Sequence, residues 1–234
     1  MPLEMYDEPD FELPHPPVSL AVFLVVEEAI CAAWEILRRN PPFGFDLVNA
    51  VEREINHNLQ EVIKDRIWNR DVVQGFDDEL IRTITRPAVR NYNGENIDKQ
   101  PDIVIELADI PARVRPSQYG IFIECKPVDA THALLRHYCD QGILRFVRGD
   151  YAWAMTQAMM IGYVDSDALP AERLAAALRT RTTVVLPTGQ PTTCGRSPAG
   201  VSIAITEHRR TFSYVENGQH APAIILRHLW LRRN

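Results

Sequence analysis

Cysteine is scarce: only Cys31, Cys125, Cys139 and Cys194 occur in 234 residues, and no two form a CxxC pair. That absence excludes a zinc knuckle or a disulfide framework, and scattered single cysteines fit a reducing compartment. Positive charge is also in short supply. Against 31 Asp and Glu stand 25 Lys and Arg, a formal net charge of −6. Such a chain does not coat nucleic acid by bulk electrostatics, although a local basic groove remains compatible with it. No apolar run reaches membrane length without a charge. The longest candidate, 18–37, is broken at its middle by Glu27 and Glu28, and the segment before it is acidic where a basic one is needed. The expectation is a cytoplasmic protein with no membrane partner. No internal repeat is visible, and the length suits one large domain.

What is present mixes single helices with strands, which points to an α/β fold. Residues 1–17 are acidic and proline-rich with no apolar period, the mark of a disordered or loosely docked arm. Ser19 is a suitable N-cap for a helix running to about Arg39, where "NPPFG" stops it. A second helix is expected from about Phe45 to Trp68, on the spacing of Leu47, Val48, Val51, Ile55, Leu59, Val62 and Ile63. Glu52 falls roughly 60° from the centre of that stripe and Glu54 roughly 100°, which favours Glu52 as the less exposed acid.

A strand or two is expected within 79–98, with "NYNGEN" as the turn, then strands at about 102–107 and 120–127. Residues 130–157 read as helical with a break near Gly149. Residues 158–164 fit either the end of that helix or a buried strand. A short helix follows at 169–181, a loop at 187–200, and late strands at 201–208 and 222–231.

Charge appears where a buried strand would avoid it. Asp102 opens one apolar strand, directly after Pro101, and Glu124 and Lys126 sit within another. Successive strand residues alternate faces, so Glu124 and Lys126 share one face and Cys125 turns to the other. If the two strands pair, two carboxylates and an amine meet at one end of the sheet. A divalent cation relieves the repulsion and desolvation of such acids, and oxygen ligands are what Mg²⁺ prefers. An ammonium beside a metal-bound water can orient it and stabilise the hydroxide it becomes. The bland alternative is a strand-edge ion pair of small energetic value.

Pro101-Asp102 followed by Glu124-Cys125-Lys126 resembles the signature of the PD-(D/E)xK nuclease superfamily. The resemblance implies a restriction-endonuclease-like fold: a mixed central sheet flanked by helices, with a core of a helix, three strands, a helix and a fourth strand. On this chain the single α/β domain spans 18–234, with an extra N-terminal helix at 18–42, the core at 43–165 and a C-terminal helix and strands at 166–234. The implied activity is cleavage of DNA phosphodiester bonds with Mg²⁺, for which Mn²⁺ can substitute. Asp102 and Glu124 would be metal ligands, with the backbone carbonyl of Cys125 a further one, and Lys126 would position the attacking water. A glutamate of the first core helix, Glu52 or Glu54, would join them.

"QGILRFVRGDYAWAM" and "IILRHLWL" look like segments of bacterial nuclease-like proteins of phage-defence neighbourhoods. Gln157 and Tyr163 are six apart, which departs from the Gln-x-x-x-Tyr of the exonuclease-type members. For DNA contact the candidates are Arg145 and Arg148, at i,i+3 on one helix face, and Arg209–Arg210, grouped with Arg227, Arg232 and Arg233. The acidic balance suggests a second copy or a partner subunit to help hold DNA. The rival reading is a catalytically inactive subunit of this fold acting as a scaffold. His132, His137, His208 and His228 lack metal-ligand spacing and read as structural or surface residues.

Overall fold

Helix α1 (Leu20–Arg39) starts where Ser19 predicts, its hydroxyl accepting from Val22 N–H at 3.4 Å, and ends on Arg38 and Arg39 with Asn40 as C-cap. The computed structural model describes residues 11–129, 131–165, 170–196 and 201–234. Among the described residues no helix is long and apolar enough to cross a membrane. Glu27, buried inside α1, is bidentate to Arg227. That pairing explains how an acid survives in a helix that is otherwise apolar on this side.

The second helix is shorter than its apolar spacing suggests. Asp46 Oδ1 accepts from Val48 N–H and Asn49 N–H, which makes a turn of 46–49. Helix α2 (Glu52–Val62) begins after it, and the chain runs on through a π-helical turn, Ile63–Ile67. Val48 and Val51, expected in the buried stripe, are exposed; Ile55, Leu59, Val62 and Ile63 are buried.

A seven-stranded mixed sheet forms the middle of the molecule, in the order β1-β2-β3-β4-β7-β6-β5. Strands β1 (Ile81–Thr85), β2 (Ile103–Leu107) and β3 (Ile121–Val128) pair antiparallel in sequence, and β4 (Gln157–Val164) lies parallel to β3. Strand β7 (Ile224–Arg232) extends the sheet parallel to β4, followed by the antiparallel β6 (Ser202–His208) and β5 (Thr192–Arg196). Residues 158–164 are therefore a strand, completely buried between β3 and β7. Strand β5 falls inside the segment expected to be a loop; its two threonines pair with β6, while proline and glycine around it mask the signal.

The segment after β3 is π-helical over Leu134–Ile143 and becomes helix α3 (Leu144–Arg148). Gly149 ends it in a left-handed conformation (φ 71°) against the ring of Phe212, so helix does not resume to 157. Residues 150–156 are irregular. Helix α4 (Pro170–Thr180) matches the short helix expected there.

Helices cover both faces of the sheet. On one, Trp34 of α1 stacks on Tyr163 of β4 with ring centroids 5.3 Å apart and donates to the carbonyl of Arg232 at 2.8 Å. On the other, Tyr138 stacks on Trp230 at 4.8 Å, over Gly162, where any Cβ would strike the Trp230 ring. Residues 11–17 of the arm are docked: His15 is buried, donates through its backbone N–H to Ala154 and accepts Arg115 N–H at its Nε2. Residues 1–10 lie outside the described residues.

Candidate functional site

Strand β3 is buried along its whole length because β2 and β4 flank it and helices cover both faces. The register of Ile103 opposite Ile123 brings Asp102, just before β2, beside Glu124 and Cys125. Asp102 Oδ2 accepts Cys125 N–H at 2.9 Å, which fixes the carboxylate against the neighbouring strand. Glu124 and Lys126 emerge on one face, as strand alternation requires. From outside the sheet the first residue of α2 delivers Glu52.

These groups meet at one atom. Lys126 Nζ lies 2.8 Å from Glu52 Oε1, 2.9 Å from Glu124 Oε1, 2.8 Å from the carbonyl of Cys125 and 3.6 Å from Asp102 Oδ2. The expected convergence of Asp102, Glu124 and Lys126 is thus present, and of the two helix glutamates it is Glu52 that joins. Glu54 is exposed and turns back to accept the N–H of Val51, closing the first turn of α2.

Three further groups, not singled out for this cluster by strand pattern, complete it. Tyr151 donates its hydroxyl to Glu124 Oε2. Arg145 Nε stands 3.4 Å from Glu124 Oε1, and Arg86 Nη2 stands 3.7 Å from Asp102 Oδ1. Three carboxylates are therefore balanced by one ammonium and two guanidinium groups. Burial pushes the Glu124 carboxyl up to about 7, against the pull of Lys126, with Asp102 adding to the rise. Burial alone would depress Lys126; Glu124, Asp102 and Glu52 outweigh it and hold the ammonium above its ordinary range. The Cys125 thiol, buried on the opposite side of the strand, is driven far above its usual range by burial, which suits a packing residue and not a nucleophile.

The donor chemistry fits a hard divalent ion, since the carboxylates of Asp102, Glu124 and Glu52 and the carbonyl of Cys125 are all oxygen ligands. The side-chain positions hold an ammonium in the middle of them instead. Among the described residues no group of three or more His, Cys, Asp or Glu side chains is arranged as a metal cage.

Of the cavities bordering the start of α2, two are lined by acids of the carboxylate cluster. One, of about 640 Å³, is lined by Arg53, Asn56, His57, Gln60, Arg86 and Asp102 among others. The other, of about 560 Å³, is lined by Glu52, Asp129, His132 and Arg233 among others. In the second, His132 Nδ1 contacts both carboxylate oxygens of Asp129, at 2.9 and 3.0 Å.

The candidate DNA-binding arginines divide. Arg148 and Arg209 are exposed. Arg145, spent on Glu124 and on the carbonyl of Gln141 at 2.8 Å, belongs to the carboxylate cluster. Arg210 is buried, and its guanidinium donates to the carbonyls of Ala152, Trp153 and Met155. It is a brace for the 150–156 segment and has no surface to offer DNA. Arg227 is committed to Glu27, and Arg233 donates to the carbonyls of Leu47, Val48 and Ala50. The C-terminal basic cluster of the sequence is thus no groove: three of its arginines are buried, each satisfying acceptors that would otherwise be orphaned.

No protein-family model, curated protein or solved structure matches this chain.

Proposed function

We propose that this chain is a metal-dependent deoxyribonuclease of the PD-(D/E)xK type, with a restriction-endonuclease-like core running from α2 to β4. The observation that carries the reading is the meeting of Glu52, Asp102, Glu124 and the Cys125 carbonyl around Lys126 Nζ at the end of the sheet. The element order in support is helix, three antiparallel strands, helix and a fourth strand parallel to the third.

Mg²⁺, held by Asp102, Glu124, the carbonyl of Cys125 and Glu52, would supply Lewis acidity toward a phosphoryl oxygen. The chain's own residues do the rest. Lys126, kept protonated by three acids, is a fixed positive charge able to orient a water and to stabilise the negative charge that develops on it. Tyr151 and Arg145 hold Glu124 in place, and Cys125 N–H holds Asp102, so the acids stay preorganised. The test is digestion of DNA, with RNA alongside, in Mg²⁺ and in Mn²⁺. Cleavage by the wild type and none by Asp102→Asn supports the reading; cleavage surviving that substitution ends it. A cellular role in bacterial anti-phage defence or DNA processing is the setting that this activity suits.

One observation favours a second reading, a catalytically inactive subunit that binds other proteins. The three carboxylates of the cluster are already charge-balanced by the chain's own Lys126, Arg145 and Arg86. Calorimetric titration with Mn²⁺ separates the two, since an inactive ion-pair cluster takes up no metal.

A further inference from the structure

With Arg145 and Arg210 withdrawn, Arg148 and Arg209 remain at the surface, and the substrate's negative charge needs a further seat near the carboxylates. Helix α2 offers one. At about 100° per residue, Arg53, Asn56, His57 and Gln60 fall within an arc of about 100°, a polar stripe beside the buried one. All four line the 640 Å³ cavity, whose far wall carries Arg86 and Asp102. The stripe faces a cleft that ends at the carboxylate cluster.

Two features of that cleft point to an anion. Asn56 is 3% exposed, and its Oδ1 accepts the Tyr163 hydroxyl at 2.6 Å, yet its Nδ2 has no hydrogen-bond partner among the described residues. A buried amide donor left unmet is unfavourable, and a ligand acceptor would recover the lost hydrogen bond. Arg53, meanwhile, has no ion pair among the described residues. The two acids on the cavity wall are already engaged: Asp102 by Cys125 N–H, Lys126 and Arg86, Glu54 by Val51 N–H. Arg53 and Asn56 Nδ2 are left as an uncommitted cation and donor, and Arg86, exposed and 3.7 Å from Asp102, stands beside them.

We propose that this cavity seats a backbone phosphate of the nucleic-acid strand next to the one being cleaved, held by Arg53, Asn56 Nδ2 and Arg86. The inference rests on the nuclease reading for its substrate class and extends it from the carboxylates to a binding track along α2. Phosphate contacts fix register without reading sequence, so the track contributes affinity and orientation rather than specificity.

The test is binding without chemistry. A labelled oligodeoxynucleotide is titrated with the full chain in EDTA, at several salt concentrations, with fluorescence anisotropy as the readout. Arg53→Ala is expected to weaken binding equally across sequences and to lower the slope of log K against log salt by about 1; Arg53→Glu weakens it further. Arg173→Ala, at an exposed position on α4, leaves both unchanged. Because Arg53 is itself exposed, these variants keep the fold, which circular dichroism checks. Wild-type affinity and slope in both Arg53 variants would overturn the proposal. Inorganic phosphate and a mononucleotide are run as competitors: binding of either with no binding of the oligonucleotide would overturn the assignment to a nucleic-acid strand. Cleavage in Mn²⁺ is scored separately. Arg53-dependent binding with no cleavage sinks the nuclease and keeps the phosphate seat; cleavage with no dependence on Arg53 does the reverse.

Discussion

Tyr151 reaches from the irregular segment after α3 to donate its hydroxyl to Glu124 Oε2, giving the most deeply buried acid of the cluster a neutral donor opposite its cationic ones. Tyr151 is itself fully buried, with its ring edge-on to Phe146 at 5.1 Å. Tyr151→Phe keeps that packing and removes only the hydroxyl. The expected cost is about 1.5–3 kcal/mol of stability, the value of a hydrogen bond to a charged group. It is measured as a lower urea midpoint with an unchanged m-value. Cleavage should fall as well, since Glu124 loses one of the contacts that fix it. An unchanged midpoint would mean that Glu124 finds another donor.

Asp102 and Lys126 should respond differently to substitution. Asp102→Asn retains an oxygen that can accept Cys125 N–H, so stability is expected to stay within roughly 2 kcal/mol of wild type while cleavage is abolished. Lys126→Met removes the single ammonium between three acids. Buried carboxylates left without their partner cost roughly 3–5 kcal/mol, so this variant should be markedly destabilised as well as inactive. Thermal unfolding of the two variants side by side checks the contrast. Equal stability would mean that Arg86 and Arg145 alone can neutralise the cluster.

Arg209 and Arg210 are adjacent in the chain and opposite in burial. Arg210→Ala strips three carbonyls of the 150–156 segment of their donor and leaves a cavity, so a loss of at least 3 kcal/mol is expected. Arg209→Ala, at an exposed position, should stay within about 0.5 kcal/mol. Because Tyr151 lies in the braced segment, Arg210→Ala should also weaken cleavage through Glu124. A pair of denaturation curves decides the first point and an activity assay at a temperature where the variant is folded decides the second.

The difference between these neighbours shows where sequence reading stops. Local chemistry marks α1 clearly, because Ser19 and the two prolines after Asn40 are signals carried by single residues. It misplaces the start of α2, because the turn at Asp46 interrupts an apolar spacing that would otherwise continue. Asp102, Glu124, Lys126 and Glu52 are legible for a physical reason: charge inside or beside apolar segments needs partners, and few arrangements supply them. Tyr151 and Arg86 are not, since their links to the cluster depend on where a loop and a strand end arrive after the sheet has formed. Arg210 carries no mark that separates it from Arg209. Only the tertiary position of the 150–156 carbonyls makes one buried and leaves the other in water.

Acid should destabilise the protein through two histidines that take no part in the carboxylate cluster. His208 Nδ1 is 2.5 Å from the carbonyl of Val185, and its Nε2 is 2.7 Å from Thr206 Oγ1. Thr206 Oγ1 is also 2.7 Å from His228 Nε2, whose Nδ1 is 2.8 Å from the Tyr138 hydroxyl. One set of protons satisfies every link. His208 donates to Val185 and accepts from Thr206, Thr206 accepts from His228, and Tyr138 donates to His228. Both rings must be neutral, and one more proton on either breaks the chain. Burial accordingly lowers His208 to about 4 and His228 well below its ordinary value. The unfolded chain takes up these protons first as pH falls below about 6.5, so stability is lost progressively from there downward. For His208 the loss reaches about 3 kcal/mol by pH 4. Glu124 acts with the opposite sign: its raised carboxyl contributes stability present below about 4.5 and lost as pH rises through about 7. Urea midpoints between pH 7 and pH 4 should therefore fall less steeply than the histidines alone dictate. The double variant His208→Gln and His228→Gln, less stable at pH 7, should reverse the slope in the upper part of that range. A slope unchanged by the double substitution would show that neither histidine is held neutral.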